Sequence, residues 1–199
     1  MAVLAIVLVG VAMAGPAGAA RTLRPSSMQA LVESVDLVVE IRVGPVVATE
    51  RETAPNGVGV YELRRTTILR TLRGHPPKSA TLLLRQVDSH PPKGITVFAE
   101  DEPAPLLEGA HVVVFVTAAK ATPWERHETG CVFTLAWGDF SVWTIANSTI
   151  TATTPPDTPF TLRTSPGGRA LTTTESGFPI VSLHNVVTVA NRNIHPRAC

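Results

Sequence analysis

The chain is short of almost everything that announces a chemistry. Its 199 residues hold two cysteines, Cys131 and Cys199, so one intramolecular bridge is the most it can form. That excludes a disulfide-stapled scaffold and leaves stability to an apolar core. Neither a C-x-x-C nor an H-E-x-x-H spacing is present, so the usual zinc patterns are missing. The G-x-S-x-G elbow is absent, and Pro166-Gly167-Gly168-Arg169 lacks the Lys-Ser/Thr that would complete a phosphate loop. An excess of charge is missing as well. Seventeen Lys and Arg against sixteen Asp and Glu leave a formal +1, which argues against electrostatic capture of nucleic acid or anionic lipid.

Ala2 to Ala14 is uncharged and almost wholly apolar, Gly15-Pro16 breaks it, and Ala17-Gly18-Ala19 follows with the small residues of a cleavage site. This is the pattern of a secretory signal peptide, here residues 1–19, although no Lys or Arg precedes the apolar run. The rival is a retained anchor, because the run approaches the ~20 residues that cross a bilayer. The Gly-Pro break favours cleavage, leaving a secreted or extracytoplasmic chain (periplasm or cell envelope) with no stable membrane span. In that compartment Cys131 and Cys199 either pair, worth roughly 4 kcal/mol in the loop-entropy picture, or Cys199 frays as the last residue and stays a thiol.

The remaining chain suits a single domain, 26–194. Ser26 and Ser27 precede Met28, Leu31, Val32 and Val35 at helical spacing, and Gln29 stands three after Ser26 as in a capping box. Leu37 opens a long strand with Gly44-Pro45 as a bend. Asn56-Gly57 is a hairpin signal leading into Val60–Gly74, where Tyr61, Leu63, Thr67 and Leu69 share one parity and Glu62, Arg64, Thr66 and Arg70 the other. On that register Leu69 and Leu72 point inward. Strands follow at Ser79–Val87 and Ile95–Phe98. The unbroken apolar run of His111–Ala118 marks a central strand covered on both faces. Cys131–Trp137 and Phe140–Ile145 read as a hairpin about Gly138-Asp139, and Phe160–Arg163 as a further strand. Leu183, Val186, Val187 and Ala190 have helical spacing, against a valine-rich composition that favours strand.

Four segments resemble a widespread group of small exported bacterial proteins with an OB-like barrel, related in shape to tissue-inhibitor-of-metalloprotease and netrin modules. They are Leu31–Val39, Thr67–Gly74 with its Leu-basic-Gly corner, Gly109–Val116 and Gly138-Asp139-Phe140. The resemblance implies a mainly β fold: an OB-like, Greek-key antiparallel barrel with a short N-terminal helix and a C-terminal helix. The inhibitors' metal-binding N-terminal cysteine has no counterpart at Ala20-Arg21-Thr22.

Arg64, Arg65, Arg70, Arg73, Lys78 and Arg85 fall in a stretch from Leu63 to Val87 with no acidic residue, a candidate patch for an anionic glycan or acidic protein. A solvated outer face with arginine stems covering apolar surface is the simpler reading. Nucleic acid is not expected, since stacking needs aromatics and only Tyr61 is near. His127 and Cys131, four apart, lack a second ligand pair. Glu100, Asp101, Glu102 and Glu108 lack calcium-loop spacing. Asn147-Ser148-Thr149 is a glycosylation sequon. No catalytic residue, metal or cofactor is expected. The expected function is an exported, non-catalytic module that binds a protein or glycan at the cell envelope. The second reading is an inhibitor of an exported hydrolase or protease, acting through Thr53–Gly59 or Thr122–Gly130, and the third an enzyme of unknown type.

Overall fold

The computed structural model describes residues 25–54, 57–87, 106–126, 128, 130–153, 160–163, 170–173 and 177–190. The signal segment, the Ile95–Phe98 strand, His90, His127, the Glu100–Glu102 run and Cys199 lie outside them.

Helix α1 (Met28–Glu33) starts one residue later than its sequence suggests. Ser27, not Ser26, is the cap, its Oγ accepting from the Ala30 N–H at 3.1 Å, and Gln29 donates to Glu33 at 2.9 Å rather than closing a capping box. The next strand divides into β1 (Leu37–Arg42) and β2 (Val46–Ala54). The divider is Gly44, where a Cβ would lie 1.7 Å from the Arg65 carbonyl oxygen, so only glycine lets the neighbouring chain pass. β3 (Gly57–Arg73) pairs with both halves and ends at Gly74, whose φ of +85° turns the chain into the corner before His75-Pro76-Pro77. Then come β4 (Thr81–Val87), β5 (His111–Ala119), β6 (Val132–Leu135), a 3-10 turn (Gly138–Ser141), β7 (Val142–Ala146), β8 (Thr149–Ala152), β9 (Phe160–Arg163), β10 (Ala170–Thr173), β11 (Phe178–Pro179) and α2 (Ile180–Ala190).

Five strands close into a barrel in the order β1-β3-β4-β6-β5, with β5 returning to β1. This is the expected OB-like barrel with its two helices, with one amendment. The β4–β6 pair is parallel, Leu83 facing Val132 and Leu84 facing Phe133. A ring of five strands cannot alternate direction throughout, so one neighbouring pair must run the same way.

Two other expectations fail for identifiable reasons. β6 and β7 do not pair as a hairpin. They lie end to end along one edge of β5, β6 against Val116–Ala119 and β7 against Val112–Val114, with the 3-10 turn between them. And Leu69 does not enter the core. Between β1 and β3 the register passes from Glu40↔Arg70 to Ile41↔Ile68, so Leu69 is the extra residue of a β-bulge; Leu72 is a second between Val38↔Arg73 and Val39↔Thr71. Each bulge resets the alternation. Leu69 is 45% exposed, whereas Ile68 joins the interior and Leu72 packs beneath the helices.

Three apolar clusters result. The barrel interior holds Leu37, Val39, Ile41, Leu82, Leu84, Val112, Val114, Val116 and Phe133. The outer wall of β1, β5 and β7 carries a second core beneath α1 and α2, where Trp143 stacks on Phe178 at 6.2 Å. β5 serves both: Val113 and Phe115 face the helices while Val112, Val114 and Val116 face the interior, which is why its sequence is apolar without alternation. The same docking settles α2 as a helix, since Leu183, Val186 and Val187 are all buried in the second core. The third cluster is smaller and sits at the base of the β2–β3 arm.

Candidate functional site

β2 and β3 form an arm that outruns the barrel. β4 accompanies β3 only as far as Tyr61↔Val87; beyond it, Gly57–Val60 pair with Arg51–Ala54 and with no other strand among the described residues. Where the arm leaves the barrel, Val47 and Ala48 pack with Leu63, Leu83, Val132, Ala121 and Trp124. Trp124 belongs to the Thr122–Gly130 loop and Ala121 immediately precedes it, so the two loops singled out in the sequence rise from one apolar base.

That base is locked by charge. Leu63 faces Arg85 and Arg65 faces Leu83 across β3 and β4, so both arginines emerge on the cluster's side of the sheet. Arg85 donates to Glu125 Oε2 at 3.2 Å, and the Thr122 N–H donates to the same oxygen at 2.7 Å. Glu125 is fully buried. Its N–H donates to the Thr122 carbonyl and its own carbonyl accepts from the Glu128 N–H, giving two tandem turns. Glu128 completes the clasp with an ion pair to Arg65, half of which is in water. A buried carboxylate is stable only when compensated, and Arg85 with the Thr122 amide compensates one oxygen; the other, Oε1, has no partner.

The remaining basic residues go elsewhere. Arg64 continues the inward-facing row of Leu82 and Leu84 and holds Glu62 through Nη2 at 2.9 Å, and Gln86 donates to the same carboxylate at 3.1 Å. Arg73 is buried against α1 and donates to the Val35 carbonyl at 3.2 Å. Burial lowers its pKa from the ordinary value, opposed by the charges of Glu33 and Asp36. Arg70 stands opposite Glu40 on the α2 side, and Lys78 lies in the β3–β4 turn; both are exposed. The six residues therefore occupy five places, and the structure brings together only Arg65 and Arg85. Their partners, Glu128 for Arg65 and Glu125 for Arg85, come from 63 and 40 residues away, where the sequence reads as an ordinary charged loop.

On the outer wall of β1 and β5 lies a second polar grouping that no motif signals: His111 Nε2 meets Glu40 Oε1 at 2.7 Å and Arg42 donates to the Gly109 carbonyl, while on α2 the Nε2 of His184 is enclosed without a hydrogen-bond partner. Among the described residues no group of three His, Cys, Asp or Glu is placed to hold a metal, and Cys131 packs against the barrel interior. Asn147, of the sequon, sits exposed at the tip of the β7–β8 hairpin with φ of 49°. No helix among the described residues is long and apolar enough to cross a membrane. The chain matches no family model, no curated protein and no solved structure.

Proposed function

We propose that this chain is an exported, non-catalytic binding module that presents the β2–β3 arm to a protein or glycan of the cell envelope. The observation that carries this reading is the arm itself. The pairing of Gly57–Val60 with Arg51–Ala54 extends past the last pairing of β4, and its base is braced by the Arg85–Glu125 contact and a packed tryptophan. A recognition element needs that combination of a free tip and a rigid root. Export rests on the signal-like residues 1–19, and in an oxidising compartment Cys131 would be bridged to Cys199; no cysteine among the described residues is free. The resemblance of four sequence segments to a group of exported OB-like proteins points the same way.

The test shortens the arm. Thr49 and Glu62 face each other across the hairpin, so replacing residues 50–61 with Asn-Gly joins them by a two-residue turn. The full chain should be retained on envelope glycan or recovered with a stoichiometric protein partner, and the shortened chain should stay folded by circular dichroism but lose that retention. Equal retention by both forms would overturn the assignment. The inhibitor reading is favoured instead if the partner is an exported protease whose activity the full chain titrates. Mass spectrometry of secreted material should show a start at Ala20 or Arg21; recovery only as a full-length membrane-bound chain would reject cleavage.

A further inference from the structure

His184 is the only titratable residue of α2, and it is set on the inner side of the helix rather than in water. Its Nε2 is enclosed and has no hydrogen-bond partner. The neighbouring residues Leu183, Val186 and Val187 carry the helix into the outer core. The wall that His184 faces is charged. α2 packs on β3, whose Arg70 carries a charge that acts on His184, and Glu40 of β1, opposite Arg70 in register, acts with the other sign. That carboxylate is already held by His111 of β5 at 2.7 Å. α1 also packs on α2, but its acidic residue Glu33 acts on Arg73; β11 brings no charge, and Arg163 is the charged residue in the sequence of β9.

We infer that α2 is an acid-released clasp: proton uptake on His184 places a second cation beside Arg70 and loosens the helix from the barrel wall. A neutral imidazole tolerates an enclosed, unpartnered nitrogen better than an imidazolium, whose added N–H would be buried without an acceptor. Burial and the Arg70 charge both lower the pKa of His184 from its ordinary value, with Glu40 opposing. The folded chain thus binds this proton less readily than the unfolded chain does. The stabilisation is present above the ordinary histidine pKa and is lost as pH falls below it toward the depressed folded value. Release would uncover the apolar faces of α1 and α2, a large change in surface triggered by mild acid and independent of the β2–β3 arm.

Hydrogen exchange of the Ile180–Ala190 amides in the intact chain, at pH 7.5 and 5.5 and corrected for intrinsic rates, tests this. Wild type should lose protection in α2 several-fold on acidification, ahead of the barrel strands. His184→Gln should abolish that pH dependence. Arg70→Gln, an exposed change that leaves folding intact, should reduce it. Glu40→Gln, which removes the opposing charge, should enlarge it while His184 is present. Acid loosening of equal size in wild type and His184→Gln would overturn the proposal, as would α2 protection in wild type that does not respond to pH.

Discussion

The two halves of β3 are one strand with two occupations. From Thr67 to Arg73 it is clasped by β1, interrupted by bulges at Leu69 and Leu72; Thr66 and Leu72 are buried and Ile68 half-buried against the interior. From Gly57 to Tyr61 it has one companion strand over most of its length and lies outside the barrel. The half with irregular pairing still places Thr66 and Leu72 in buried positions, so bulges in a ladder do not remove a strand from the core. Among the described side chains of the regular half, Val60 is buried and Tyr61 half-buried. Side-chain burial rather than ladder regularity therefore locates the described core, in the barrel interior and beneath the helices.

Breaking the barrel half should have the largest effect. Leu84, fully buried in the interior and paired across to Arg64, loses its transfer energy and leaves a void when cut back. Leu84→Ala should cost about 2–5 kcal/mol, a large part of the ~5–15 kcal/mol a domain holds. Urea unfolding of this variant beside the arm-shortened chain sharpens the comparison: the first midpoint should fall far, the second little. The reverse order would mean that the arm, not the barrel, carries the stability.

How much of this was legible in the sequence follows from the range over which each signal acts. The apolar run of Val112–Val116 announces a strand buried on both faces, and β5 indeed borders β1, β6 and β7. The helical spacing of Leu183, Val186 and Val187 outlasts the valine preference for strand because α1 and the outer wall bury that face. Bulges are invisible to a period-two argument, because Leu69 looks like any other apolar residue until β1 fixes its pairing. The Gly138-Asp139 turn looks like a hairpin because local composition cannot say that both flanking strands share a third partner. Longer in range still are the Arg85–Glu125 and Arg65–Glu128 pairs, between segments joined only through the closure of the barrel. A run of basic residues without acidic neighbours says nothing about the acids that arrive from elsewhere.

The joint between arm and barrel should show a smaller, coupled effect. Glu125→Gln keeps an acceptor for the Thr122 amide but takes the carboxylate from Arg85, an expected loss of about 1–3 kcal/mol. Arg85→Gln leaves the buried carboxylate uncompensated and should cost a similar amount. The double variant should cost clearly less than the two single losses together, since residues in contact do not add. Strict additivity in thermal unfolding would remove the clasp from the account of how the arm is braced. Partner retention measured on the same variants then separates the brace from the tip.

The smallest effect belongs to the residue that local pattern places most confidently in the core. Leu69 shares the parity of Tyr61 and Leu63, and an uninterrupted strand would carry it inward. With the bulge it is the unpaired residue on the outer side, 45% exposed, and the adjacent Ile68 takes the inward position opposite Ile41. Truncating an exposed side chain neither opens a cavity nor strands a polar partner, so Leu69→Ala should stay within about 0.5 kcal/mol of the parent. Ile68→Ala removes interior contacts and should cost several times more. The two side chains are isomers of equal size, one position apart, and the β-branch of Ile68 adds only a strand preference of under about 1 kcal/mol, so the ratio of their costs reads the register. Should Leu69→Ala prove the costlier in chemical denaturation, the ladder between β1 and β3 runs without a bulge there, and the barrel half of β3 is as regular as the arm.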